Sequence, residues 1–440
     1  MLKNSIATMS SLVLRPREDQ PPVAHSLFAF AAIASLLFVT QLKTLTPMLV
    51  TGLTLFFLFW RRRSLGAVLR ASALCLALAV FCLLSRFWSI APTATTYYGV
   101  QYLITVLIGC CVGAGLDRRA AFRGVFLAFA FYAVISVLFG RTVSWGGGAM
   151  GNSAFAGLAQ AKNTAGDCAA VGVIFSLGML LMALQGWQVG LAMLAGCALL
   201  LELHNLIAAH SSGAILGVAL AVPMIIAWNA SRLMQLSSRF MIAIISAVAA
   251  FSAMATQSIW LPPLVAGITS AMGKDSTLTG RTYLWGRADS LIAERPVLGL
   301  GYNAFWRQGN LEAEGLWRHA AIASRSGFNF HSTPTEIVVH LGYVGLVLFT
   351  LVFVAYLLML MARTIVKPEL PLIGWCGLLF YEASRMPFES IGAGPFHYTT
   401  TLLAAGLTVA LSRIGEAGPK LRLRIGGSVP PWRVRSLGVT

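Results

Sequence analysis

His331 stands where a polar stretch enters an apolar helix, in the run His331-Ser332-Thr333-Pro334-Thr335-Glu336 followed by Ile337-Val338-Val339. The same stretch carries Thr279-Gly280-Arg281, Trp285 and Arg295-Pro296-Val297-Leu298-Gly299-Leu300-Gly301-Tyr302 upstream. A planar guanidinium grips two oxygens of an anion at once. An imidazole accepts a proton from a weakly acidic hydroxyl near neutral pH. Arg281 is therefore the expected anion contact, His331 the expected general base and Glu336 its orienter, with Arg287 and Arg295 as further basic lining. Each has a plain alternative: Arg281 pairing with Asp275 or Asp289, His331 as an interfacial helix-entry residue, Glu336 as a first-turn acid favoured by the helix dipole. Trp285 and Trp306 are aromatic anchors as readily as sugar platforms.

These residues need a scaffold, and composition says which kind. With 57% apolar and 11% charged residues, the chain reads as an all-α polytopic membrane protein. Hydropathy places about twelve transmembrane helices over residues 24–42, 45–60, 69–85, 97–115, 124–140, 166–185, 189–207, 212–230, 240–259, 336–361, 371–385 and 396–412. The domain plan is a cytoplasmic tail (1–23), helices one to nine (24–256), a catalytic loop (257–335), helices ten to twelve (336–412) and a basic cytoplasmic tail (413–440). Short helices are expected in the loop over Leu284–Ala293 and Ala304–Ile322. Seven cysteines all fall in or beside apolar runs, so they read as small buried side chains and not as a disulfide framework. The weakly apolar stretch from Ser5 to Leu14 reads as a retained tail, without a signal-peptide cleavage site.

With the N-terminus inside, 20 of the 32 basic residues fall in cytoplasmic segments and only five in short external loops. The positive-inside rule then puts both termini in the cytoplasm and the long loop in the periplasm. The net charge of +17 is dispersed over many loops, which suits topology and anionic headgroups, not nucleic acid. Gly299-x-Gly301 imitates a dinucleotide fingerprint without a βαβ unit around it. His319, His331 and His340 lack zinc-site spacing, so no metal is expected. Inside the spans, Glu202 is the clearest buried charge, with His204, His210 or Asp167 as candidate partners, or else a wall of a ligand cleft. Lys162, before the sixth span, has the right sign for a phosphate. A transporter or flippase is the rival class, opposed by the absence of a repeated half and by the long loop itself.

The chain resembles the O-antigen ligase and polymerase superfamily of bacterial envelope glycosyltransferases, most nearly the exopolysaccharide polymerases of the ExoQ type. The likeness rests on Leu84-Ser85-Arg86-Phe87-Trp88-Ser89-Ile90-Ala91-Pro92, Ala161-Lys162-Asn163, Thr279-Gly280-Arg281 with Trp285, the Pro296 to Gly301 turn, and His331. It implies a GT-C-like, metal-independent transferase without a cofactor, using an undecaprenyl-pyrophosphate-linked oligosaccharide donor and a glycan acceptor. Arg281 and His331 match the family's essential arginine and histidine. A flippase and a chain-length regulator are the implied partners. Lys162, Arg287, Arg295, Trp285, Glu202 and His210 are the candidate substrate contacts. The sequence departs from the family pattern at Ser332, usually asparagine, at His340, commonly glutamate, and at His210-Ser211-Ser212-Gly213, which replaces a Ser-Arg or Ser-Lys pair. A polymerase and a ligase onto lipid A core or protein differ only in acceptor.

Overall fold

The computed structural model describes residues 22–145, 152–256, 259, 281–325 and 327–412. Its helices are α1 Val23–Leu37, α2 Val39–Leu42, α3 Leu45–Trp60, α4 Leu65–Ala71, α5 Ala73–Leu84, α6 Pro92–Gly115, α7 Arg118–Phe139, α8 Lys162–Gln185, α9 Val189–Ala208, α10 Ser212–Ser231, α11 Leu236–Ala255, α12 Arg281–Glu294, α13 Leu311–His319, α14 Thr333–Val366, α15 Leu370–Arg385 and α16 Tyr398–Thr408. Every interval expected to span the membrane contains one of these helices. Six of them are long and apolar enough to cross a membrane, or seven if α4 and the segment from Ala73 to Phe87, bent by 74°, form one span. The chain is a multi-pass membrane protein.

The fold is mostly helical, as expected, with one addition. The chain is not all helical: β1 Arg141–Trp145 and β2 Asn152–Gly157 form an antiparallel hairpin between α7 and α8. The β-branched and aromatic residues Thr142, Val143, Trp145 and Phe155 favour extended backbone over a short run. Thr279, Gly280, Asp275 and both tails lie outside the described residues.

Helix α8 is the hub, packed by α7, α9, α10 and α15. Its most apolar window is 78% buried, against 28% for α9 and α10. Small residues allow this close approach. A Cβ at Gly172 would meet Glu202, one at Gly178 would meet Phe122, and Gly109 and Gly113 let α6 lie directly on the backbone of α16. Packing of this kind stands in for the hydrophobic effect between helices in lipid.

Helix α14 breaks at Gly342, whose φ is 66° and ψ −173°. The break is filled by the turn from Pro296 to Gly301. Leu300 and Gly301 donate to the carbonyls of Val339 and His340 at 2.9 and 2.8 Å, and Tyr343 donates to Pro296 O at 2.8 Å. Broken helix backbone at membrane depth is tolerated only where protein satisfies its polar groups, and this turn does so. Glycine is required because a Cβ at Gly342 would stand 2.1 Å from Val297 O, and one at Gly299 would stand 2.6 Å from Gly342 N. The segment from Ser85 to Ile90 then locks on: Ile90 N donates to Leu300 O, Trp88 Nε1 to Leu298 O, and Tyr302 N to Ser85 Oγ. Loop helix α12 agrees with expectation, whereas α13 starts only at Leu311. Asn303 and Gly309, both at positive φ, keep the preceding residues in turns.

Candidate active site

The site is assembled from the start of α12, the turn before α14 and the turn after α15. Thr333 makes the central stitch. Its N–H donates to Met386 O at 2.8 Å, its hydroxyl to Glu389 O at 2.8 Å, and it accepts from Ile391 N at 2.7 Å. Trp285 Nε1 donates to Phe330 O at 2.9 Å and so ties α12 to the residue before His331. Ser332 caps α14, accepting from Thr335 N. Asparagine, the residue that the resemblance leads one to expect at position 332, would cap equally well. His331 itself is held at φ 51°, its N–H donating to Asn329 Oδ1 at 2.8 Å. A non-glycine residue in this region is uncommon and gathers at functional sites.

These stitches bring Arg281 and His331 onto one carboxylate that the sequence reading missed, Glu389. Arg281 Nη2 lies 3.0 Å from Glu389 Oε1, its Nη1 donates to Phe388 O, and His331 Nδ1 lies 3.4 Å from Glu389 Oε2. Burial pushes the Glu389 carboxyl up, but the His331 hydrogen bond and the Arg281 charge outweigh it and hold it down to about 2. The carboxylate therefore stays ionised and fixes the imidazole with Nδ1 toward it. Nε2 is the ring nitrogen not engaged with Glu389, an arrangement that suits an acid-oriented base.

Glu336 is not the orienter of His331. Its oxygens accept from Phe330 N at 2.8 Å, Trp306 Nε1 at 3.1 Å and Ser390 Oγ at 3.4 Å, while His340 Nε2 lies 3.5 Å from Oε1. As a first-turn residue of α14 it points inward to the loop's own donors. Beside it opens a cavity of about 600 Å³, whose lining includes Trp306, Arg307, Arg325, Asn329, His397 and Tyr132. Its mixture of aromatic faces and cations suits a sugar and a phosphate group.

The other sequence-nominated residues are dispersed. Arg287 pairs with Glu312 of α13, and Arg295 Nη1 donates to Trp88 O at 3.3 Å, so both hold the loop together instead of lining one basic patch with Arg281. Lys162 Nζ donates to His210 O at 3.0 Å where α8 begins and α9 turns into α10. Glu202 is buried against Gly172, and its Oε1 has no hydrogen-bond partner among the described residues. Asp167, one of its expected partners, is committed to Tyr381, Tyr398 and Arg385.

Residues 195–350 match the family described as O-antigen ligase. Over 344 residues the chain is 32% identical to the exopolysaccharide production protein ExoQ of Rhizobium meliloti (strain 1021), covering 77% of each. The chain belongs to this O-antigen ligase and polymerase family. The match to the O-antigen ligase family takes in Arg281, His331 and Glu336, together with Glu202, His210, Trp285, Arg287 and Arg295, while Lys162 and Glu389 lie outside it. No motif flanks Glu389 in Met386-Pro387-Phe388-Glu389-Ser390. The available signal was an acid placed directly after a helix that carries Arg385.

Proposed function

We propose that this family member is a polysaccharide polymerase. It moves glycan from an undecaprenyl-pyrophosphate-linked donor to a lipid-linked repeat unit at the periplasmic face of the bacterial inner membrane, in a chain of twelve crossings with residues 257–335 as the catalytic loop. One observation carries the reading: Arg281 and His331, distant in sequence, meet on Glu389 close to a cavity of about 600 Å³. His331 Nε2 takes the proton of an acceptor hydroxyl as its oxygen attacks the anomeric carbon. The bond from that carbon to the pyrophosphate oxygen breaks, and the lipid pyrophosphate leaves with the electron pair. Arg281 keeps N–H groups beyond those given to Phe388 and Glu389, and these stabilise the departing oxygens. The chemistry is carried by protein groups alone. A flippase to deliver donor and a chain-length regulator are the partners this reading calls for.

The test is reconstitution of the full chain with lipid-linked repeat units. Wild type is expected to produce a ladder of lengthened glycans, and His331→Gln to cut turnover by about 100-fold or more while donor still binds. Loss of donor binding in that variant would reassign His331 to the pyrophosphate. The match to a family described as O-antigen ligase favours a second reading with another acceptor. Single transfer onto lipid A core, with no ladder, would select it.

A further inference from the structure

A second cavity, of about 410 Å³, lies at the opposite ends of the helices that carry the candidate active site. Thr164 and Cys168, near the start of α8, line the first cavity, while Met179, Met182 and Gln185, near its end, line the second. Glu336 and Lys367 mark the two ends of α14 in the same way.

Arg119, Arg123, Arg232, Arg239 and Lys367 line this second cavity, Arg232 bonding to Gln185 and Arg239 to the Ile365 carbonyl, with Glu369 as the one carboxylate among the described lining residues. That carboxylate is already shared, by Lys367 at 2.8 Å and Arg118 at 3.2 Å. Arg123 Nε is buried and has no hydrogen-bond partner among the described residues. A buried guanidinium nitrogen left unsatisfied is costly unless an acceptor reaches it. The geometry points to a binding site here for the phosphate headgroup of an anionic phospholipid, separate from the transferase site.

Lipid is favoured over a soluble anion by the cavity's surroundings. Leu233, between Arg232 and Arg239, is 95% exposed, and Phe240 and Met241 follow it outward. Trp187, at 82% exposure, stands beside lining residues Gly186 and Gln188. Exposed apolar and indole side chains beside a ring of cations describe the headgroup level of a bilayer. The floor of Met179, Met182 and Leu370 offers apolar contact to the glycerol and upper acyl chains.

The experiment uses the full-length protein in phosphatidylcholine bilayers with and without cardiolipin, reading thermal stability and retained cardiolipin by native mass spectrometry. Cardiolipin should stabilise wild type. Arg123→Gln combined with Lys367→Gln should bind it about tenfold more weakly or worse, since each removes a basic contact to the headgroup. Arg62→Gln with Arg63→Gln removes the same charge from an exposed turn elsewhere and should leave binding unchanged. If the double variant fails to fold, Arg123→Gln alone, whose Nε has no partner to lose among the described residues, should still weaken retention. Wild-type affinity in the cavity variants, or equal loss in the Arg62 and Arg63 control, overturns the site. Stabilisation by inorganic pyrophosphate without cardiolipin that the Arg123→Gln and Lys367→Gln variant loses overturns the lipid assignment, whereas stabilisation that this variant keeps belongs to the transferase site.

Discussion

Glu389 gives the candidate base its direction, and its contribution is separable from that of His331. Glu389→Gln keeps a hydrogen-bonding side chain of the same size but removes the charge that stabilises an imidazolium. Turnover should fall by about 10- to 100-fold with donor binding retained. An unchanged rate would remove the acid from the mechanism. The same variant tests a pH effect. Because the folded carboxyl is held down to about 2, its contribution to stability is complete above the unfolded value of about 4.3 and is lost as pH falls toward 2. Wild-type melting temperature should therefore carry an acid-side loss in that window that Glu389→Gln lacks. Arg281→Lys should be nearly as damaging as Arg281→Ala, because an ammonium cannot hold Phe388 O, Glu389 and a ligand together. A lysine variant with most of its activity would reduce Arg281 to a point charge. Arg281 and His331 were legible in sequence because their types and flanking motifs announce chemistry. Glu389 was not, because what makes it matter is the Thr333 stitch between two turns, and no local pattern records that contact.

Elements were legible to the extent that hydropathy controls them. A helix occupies each expected interval, since long apolar runs in lipid must satisfy their backbone internally. The hairpin of β1 and β2 escaped notice because its strands are short and bounded by helices on both sides. The break in α14 escaped for another reason: the run from Leu341 to Ala362 carries no charged residue, and a glycine in a membrane helix is ordinary. Only the inserted turn from Pro296 to Gly301 reveals its purpose, which is to hold the loop on the helix that begins just after His331. Gly342→Ala should therefore cost about 2 to 4 kcal/mol, combining a strained positive φ with a clash against Val297 backbone. Gly213→Ala is the control, since a Cβ there meets nothing within 4 Å. Thermal denaturation of both variants in bilayers measures this. Equal melting temperatures would show that the turn does not depend on the glycine.

At the scale of the whole molecule, charge separates along the helix axes in a way that sequence counting captured only in part. Around the candidate active site four basic residues have acidic partners, Arg281 with Glu389, Arg287 with Glu312, Arg325 with Glu314 and Arg385 with Asp167, while Arg295 and Lys162 bond to backbone carbonyls. At the opposite end, Arg123, Arg232, Arg239 and Lys367 line a cavity whose one carboxylate among the described lining residues is Glu369, and Arg118 draws on that same carboxylate. Positive-inside orientation is set by basic residues in short loops near helix ends, and acids weigh little in it. Acid pairing is therefore denser at the site end than at the far end, and the orientation across the membrane is what a reporter must decide. A periplasm-only reporter fused at Gly309, in the loop that holds the site, should be active. The same reporter at Arg63 should be silent, because the turn after α3 belongs to the far end, where His25 joins Trp60 by ring contact and accepts from Asp117 N. The reverse pattern would place Arg281, His331 and Glu389 in the cytoplasm and end the proposal of transfer at the periplasmic face, whatever the variants did to activity.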